Sequence, residues 1–142
     1  MTMTKKYKIL GKYIKDSSGE TPDIETYIFV KDQISKYQLS IDINSKPLKN
    51  KMIEIETLIK FSDKEENKKK AYFEINFATI IKIDDQIKEK KDLEKIILCD
   101  VQMEIYPDLE KSLLDLLHNS GYPGIKFEKK INFEDLYNQR LN

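Results

Sequence analysis

Few residues of this 142-residue chain are of the types that carry catalysis. His118 is the only histidine and Cys99 is the only cysteine, so a Ser–His or Cys–His pair would have to use one of them. His118 falls near a predicted helix end, where an imidazole interacts favourably with the helix dipole. Cys99 lies in the apolar run "KIILCDVQ", which is typical of a small buried residue. Neither residue therefore indicates a nucleophile.

Metal, phosphate and acid–base chemistry have equally little support. The sequence contains no metal-ligand spacing, and its four glycines form no phosphate-binding loop. Carboxylates are abundant, but their spacing is that of solvated strand faces. A glycosidase-like pair assembled from distant positions stays open as an alternative. We therefore predict no catalytic residues, no metal, no cofactor and no enzymatic activity.

Composition restricts the class of protein further. Twenty-five basic and 25 acidic side chains give zero net charge, which does not indicate a nucleic-acid partner. A single cysteine excludes an internal disulfide and suits a reducing compartment. No apolar run approaches the roughly 20 residues that cross a bilayer, and "MTMTKKYKIL" lacks the apolar core of a signal peptide. We expect one domain, residues 1–142, in a soluble cytoplasmic protein without direct membrane insertion.

Strict alternation of apolar and polar residues dominates the first 83 positions. Three runs alternate clearly, from Tyr37 to Ile43, from Ile53 to Phe61 and from Phe73 to Ile83. An N-terminal lysine-rich segment supplies a fourth predicted strand. Short polar turns connect the predicted strands, and one of these turns is the charged loop 62–70. Connections of this length favour antiparallel neighbours. One face of this sheet is apolar and has to be covered.

Helical spacing replaces the alternation in the last third of the chain. The apolar positions are Leu109, Leu113, Leu116 and Leu117. Pro107 either interrupts or starts this helical segment, Asp108 can cap it, and Gly121 indicates its end, while the charged connector "DDQIKEKKDLEK" before it could already be helical. A short C-terminal helix follows, with Asn132 as its predicted N-cap. The predicted fold class is α+β, a four-stranded antiparallel sheet with a long helix and a short C-terminal helix packed on one face.

Two connecting segments are unusually apolar. The first, "DIETYIFVKDQI", joins the first two strands, and the second, "GYPGIKFEKKI", joins the two helices. Such segments could border a groove that accepts extended peptide, or they could only cover the core. An acidic stretch from Asp16 to Asp23, containing turn-forming Ser, Gly and Pro residues, follows the first predicted strand.

Several of these blocks together resemble the SecB family of protein-export chaperones. They are "YIKDSSGETPD", "FVKD", "YFEINFATII", "GYPGIKF" and "INFEDLY", in that order over about residues 7–141. The resemblance implies the same layout of sheet and helices, assembled as a homotetramer, a dimer of dimers. It implies a holdase that binds unfolded preproteins, keeps them translocation-competent and delivers them to the SecA ATPase without a cofactor.

The resemblance also implies two sites. The client-binding groove would consist of Tyr27, Phe29, Ile34, Tyr122, Ile125, Phe127 and Ile131. The SecA-docking surface would consist of Asp16, Glu20, Tyr72 and Glu74. Carboxylates on a rigid sheet would complement the basic tail of SecA. Two alternatives stay open, namely a SecB-like chaperone of a toxin–antitoxin module and an oligomeric adaptor or ligand-binding module for folded partners.

Overall fold

A computed structural model describes residues 6–64, 69–127 and 131–140. Within these ranges the strands are β1 (Tyr7–Glu20), β2 (Gln38–Pro47), β3 (Met52–Ser62) and β4 (Tyr72–Ile83). The helices are α1 (Ile24–Gln33), α2 (Lys90–Lys95), α3 (Val101–Asn119) and α4 (Phe133–Arg140). A 3-10 turn (Ile34–Lys36) follows α1, and a π-helical segment (Ile96–Asp100) joins α2 to α3.

The four strands form one antiparallel sheet in the order β1-β4-β3-β2. This arrangement leaves β1 and β2 at its two edges. The predicted α+β class and the antiparallel sheet are confirmed. The predicted charged loop 62–70 lies between the end of β3 and the start of β4, and its residues 65–68 lie outside the described residues.

Alternation along β3 and β4 determines which face of the sheet is buried. Buried residues on this inner face include Ile55, Ile59, Phe73, Ile75 and Ile81. The α3 residues of the same core cluster include Ile105, Leu109, Leu113 and Leu117, which follow helical spacing. The opposite, outer face of β3 and β4 carries the intervening polar and charged residues. The sheet therefore has one face in the core and one face toward solvent.

The first connecting segment is not an irregular loop, as the sequence suggested, but contains helix α1. Asp23 is its N-cap, and the Asp23 carboxylate accepts a hydrogen bond of 2.8 Å from the backbone N–H of Thr26. Hydrogen bonds from the Thr26 side chain and from the Thr26 backbone N–H hold the pKa of Asp23 below its ordinary value. Thr26 and Val30, one turn apart, are the buried residues of this helix. Its apolar residues point in many directions, which explains why no helical periodicity was detected.

The acidic stretch that follows the first predicted strand is not a turn, because β1 continues through it to Glu20. Every register position from Tyr7↔Ile83 to Glu20↔Tyr72 follows one antiparallel ladder, with irregularities after Ile9 and after Ile14. Gly19, which suggested a turn, serves close packing instead. A Cβ at Gly19 would lie 3.3 Å from the side chains of Leu116 and Ser120.

The long helix begins well before the predicted start at Pro107 and Asp108. Helical structure starts at Lys90 and continues through the π-helical segment, so Pro107 lies inside α3 and Asp108 does not cap it. The predicted end is confirmed, because α3 ends at Asn119 and Gly121 adopts a φ of 101°. The predicted N-cap of the last helix is also confirmed. The Asn132 side chain accepts a hydrogen bond of 3.1 Å from the backbone N–H of Asp135.

Candidate functional site

An apolar groove of about 850 Å³ opens beside the β2 edge of the sheet. It lies where the 3-10 turn, the start of β2, the end of β3 and the segment after α3 meet. Its apolar lining consists of Ile34, Tyr37, Leu39, Phe61, Ile125, Phe127 and Ile131. The segment after α3 supplies one wall, and the sheet edge supplies the other. A recess of this size and character can hold apolar side chains of an extended chain.

Four of the seven predicted groove residues line this recess, and the other three lie elsewhere. Ile34, Ile125, Phe127 and Ile131 line it. Tyr122 is buried, and its ring lies 5.4 Å from that of Tyr27.

The hydroxyl of Tyr27 donates a hydrogen bond of 2.8 Å to the carbonyl oxygen of Gly121. The Tyr27–Tyr122 pair therefore joins α1 to the end of α3 and supports the groove wall. Phe29 is not among the lining residues and remains 37% exposed on α1.

Tyr37, Leu39 and Phe61 are among the lining residues that sequence reasoning missed. Leu39 and Phe61 lie in strands and Tyr37 directly precedes β2, and alternation alone assigns such residues to the core. Tyr37 is buried, and its hydroxyl accepts a hydrogen bond of 3.1 Å from the backbone N–H of Ala71. Burial raises the pKa of this tyrosine. The ring of Phe61 contacts that of Phe127 edge to face at 5.5 Å between centroids, which connects the sheet to the opposite wall.

The four predicted docking residues lie together on the outer face of the sheet. Glu20 stands directly opposite Tyr72, and Ser18 stands opposite Glu74, in the β1–β4 ladder. Asp16 follows in the next outward-facing row of the same pair of strands. Directly opposite residues of an antiparallel pair share a face and lie close together. We call this set, Asp16, Glu20, Tyr72 and Glu74, the acidic face.

The acidic face offers negative charge together with one exposed aromatic ring. Tyr72 is 59% exposed. Glu74 lies 3.5 Å from Lys60 across the sheet, and Asp16 accepts a hydrogen bond of 2.7 Å from the Ser18 hydroxyl. Among the described residues, Asp16 and Glu20 form no ion pair. This end of the sheet therefore presents carboxylates to solvent on a rigid backbone.

Neither metal binding nor membrane crossing has structural support in the part of the chain described. No group of three or more His, Cys, Asp or Glu side chains there could hold a metal ion. No helix among these residues combines the length and the apolar character that a bilayer span requires. Cys99 is fully buried, as predicted, and burial raises the pKa of its thiol.

Comparison with known proteins agrees with the fold and the sequence blocks. The family model "Preprotein translocase subunit SecB" matches residues 2–142. This chain belongs to the SecB family of protein-export chaperones. A curated relative from Pelagibacter ubique, a putative protein-export protein SecB, is 61% identical over 140 residues, 99% of this chain and all of that protein. The protein-export protein SecB of Parvibaculum lavamentivorans is 25% identical over 94% of this chain and 77% of its own length.

A solved structure supports the SecB fold as well. It is a SecB-like chaperone from Mycobacterium tuberculosis in complex with a peptide from an antitoxin, with a TM-score of 0.62 and 12% identity. The alignment covers 88% of this chain and 91% of that one. The resemblance proposed from the sequence is thus confirmed at the level of family and fold. The SecB family consists of chaperones and not of enzymes.

Proposed function

We propose that this SecB-family chain is a cytoplasmic holdase that binds unfolded preproteins, keeps them translocation-competent and delivers them to SecA. The apolar groove carries this proposal, because it joins sheet-edge and inter-helix residues into one open recess of about 850 Å³. Relatives named as protein-export proteins favour this function over service to a toxin–antitoxin module.

The chemistry of the groove fits an extended, non-native chain. Aromatic rings and branched aliphatic side chains recognise apolar residues without demanding a particular sequence. The lining contains Phe61 and Phe127 on opposite walls, and β2 runs along an unpaired edge of the sheet. Binding of this kind is promiscuous, and one client that reaches several grooves gains avidity.

The acidic face is the proposed binding site for SecA. A basic peptide gains Coulomb attraction from Asp16, Glu20 and Glu74, which share one face of a preformed sheet. Tyr72 adds apolar contact area next to these charges. Because the groove and the acidic face use different residues, a client and SecA could be bound at the same time.

Assembly as a homotetramer, a dimer of dimers, is part of the proposal. β1 is an edge strand that exposes Leu10 and Ile14, both 47% exposed. An exposed edge strand with apolar side chains is a template for pairing with another chain. Several grooves on one particle would then act on one client.

A refolding assay tests the holdase activity. Mixing the purified protein with a slow-folding precursor at stoichiometric ratio should delay refolding of that precursor. The groove variant Ile125→Ser/Phe127→Ser should lose most of the delay. The control Leu48→Ser removes an exposed apolar residue of the β2–β3 hairpin and should keep it. Unchanged refolding kinetics with the wild-type protein would contradict the proposal.

Charge reversal tests the docking surface separately. Glu20→Lys/Glu74→Lys should weaken binding of a SecA tail peptide at least about tenfold in calorimetry, because two attractive contacts become repulsive. The same variant should still delay refolding of the precursor. Unchanged peptide affinity would remove SecA from the proposal and leave the holdase intact.

A further inference from the structure

Next to the acidic face, the outer face of the sheet carries a second group of carboxylates with a different partner. Glu54 and Glu56 lie on β3, two strands away from β1. The Nζ atom of Lys15 lies 3.0 Å from Oε1 of Glu54 and forms an ion pair with Oε1 of Glu56. The Tyr13 hydroxyl donates a hydrogen bond of 2.8 Å to Oε2 of Glu54. Two β1 side chains therefore occupy these two carboxylates.

A bulge in β1 makes this contact possible. The register passes from Ile14↔Phe77 to Asp16↔Asn76 and omits Lys15, so Lys15 is the extra residue of the strand. A bulge redirects the extra side chain, and here Lys15 crosses β4 to reach β3. The Lys15 side chain crosses β4 at Ala78. In the sheet, Ala78 pairs with Tyr13 of β1 on one side and with Glu56 of β3 on the other. Ala78 is fully buried although it is on the solvent side, as expected if the lysine stem covers it.

The Lys15 ion pairs distinguish Glu54 and Glu56 from Asp16 and Glu20 of the acidic face, which form no ion pair among the described residues, whereas Glu74 has only the longer contact of 3.5 Å with Lys60. The side chains of Glu54 and Glu56 are 18% and 29% exposed, against 38% for Glu74. Hydrogen bonds donated by Lys15 and by Tyr13 lower the pKa of Glu54. This carboxylate therefore stays ionised, and it is already paired within the same chain. A cationic ligand would have to displace a lysine of the same chain, which competes at high effective concentration.

We propose that Lys15 is a specificity-determining residue that confines binding of cationic peptides to the Asp16–Glu20–Glu74 end of the sheet by occupying Glu54 and Glu56. The inference rests on the proposed docking function. Without Lys15, the outer face would offer Glu54 and Glu56 in addition to Asp16, Glu20 and Glu74, and a basic segment could bind in more than one position. With Lys15 in place, the segment has a single acidic end to bind.

Calorimetric titration with an octalysine peptide at low ionic strength tests this inference. Lys15→Met keeps the stem over Ala78, removes the cation, and should tighten binding about three- to tenfold, the range of two exposed ion pairs. Lys12→Met is the matched control. Lys12 lies on the same strand but pairs with Asp108 of α3 at 2.6 Å, on the helix side of the sheet. This variant makes the same change in net charge but frees only Asp108 on the helix side of the sheet, so it should tighten binding of octalysine clearly less than Lys15→Met does.

A triple variant separates release of the two glutamates from other effects. Lys15→Met/Glu54→Gln/Glu56→Gln should return to the wild-type affinity for octalysine. Tightening that persists in the triple variant, or equal tightening in the Lys12 control, would overturn the inference. Failure of the docking proposal is recognised with a different variant. In that case Glu20→Gln/Glu74→Gln would bind octalysine with the same affinity as the wild-type protein.

Discussion

Thr57 and Gln102 form a polar contact in the middle of the apolar core. Both are fully buried, and the Thr57 hydroxyl donates a hydrogen bond of 2.9 Å to Oε1 of Gln102. The Gln102 amide nitrogen donates in turn to the carbonyl oxygen of Ile97, at 3.1 Å, in the π-helical segment. The pair thus fixes the start of α3 against β3 at one register, because a shifted helix would leave buried polar groups unpaired.

We predict that Thr57→Val lowers the free energy of unfolding by about 1–3 kcal/mol, the cost of a buried acceptor without a donor. The double variant Thr57→Val/Gln102→Met should cost less than the sum of its two single variants, because the two groups depend on each other. Urea denaturation of the four proteins measures this coupling. Strictly additive changes would show that the hydrogen bond does not connect helix and sheet.

Residue types alone did not predict the acidic face, and they predicted only part of the groove. Glu20 and Tyr72 are far apart in sequence, and only the family resemblance placed them together before the ladder was known. Ile34, Ile125 and Phe127 were predicted because they lie in apolar connections. Tyr37 and Phe61 were missed, because alternation shows that a strand residue is buried on one face and does not show that a recess opens beside it.

At the scale of elements, the junction between α1 and α3 supports the inter-helix wall of the groove. Gly121 ends α3 with a φ of 101°, and a Cβ there would lie 2.9 Å from Cε1 of Tyr27. Both the backbone conformation and the contact with the tyrosine ring therefore require glycine. Thr21 also contacts Tyr122, with 2.9 Å between their hydroxyl oxygens, which holds the chain just before α1 against the same place.

We predict that Gly121→Ala lowers the free energy of unfolding by about 1–3 kcal/mol, because strain in the left-handed region adds to the clash with Tyr27. Tyr27→Phe, which loses only the hydrogen bond to the Gly121 carbonyl, should cost about 0.5–1.5 kcal/mol. Urea denaturation measures both values. A neutral Gly121→Ala would contradict the role assigned to this junction.

Strong periodicity made the elements of the core predictable, and its absence explains the elements that were missed. β3 and β4 were predicted close to their bounds, whereas β2 was predicted to end at Ile43 and runs on to Pro47, where the apolar alternation has stopped. Helix α1 buries only Thr26 and Val30, so its sequence shows no apolar stripe. Pro107 suggested a helix start because proline lacks a backbone donor, but tertiary packing on both sides keeps the helix continuous.

At the scale of the whole molecule, the account requires more than one chain. The proposed avidity for clients depends on several grooves in one particle. We expect native mass spectrometry to give four times the chain mass of 16.8 kDa, with dimers as the first dissociation product. A monomer at micromolar concentration would contradict the tetramer and would leave β1 as an unpaired edge. The blocks that resemble SecB suggested this assembly, whereas composition and periodicity contain no information about it.

The most direct test compares one polypeptide in two states. A reduced, carboxymethylated protein that cannot refold is labelled, and its binding is measured by fluorescence anisotropy beside that of its native form. The unfolded form should bind, the native form should not, and Ile125→Ser/Phe127→Ser should weaken binding of the unfolded form at least about tenfold, the loss of two buried apolar contacts. Equal binding of both forms, or full affinity in the groove variant, would contradict the claim that this groove holds non-native chains.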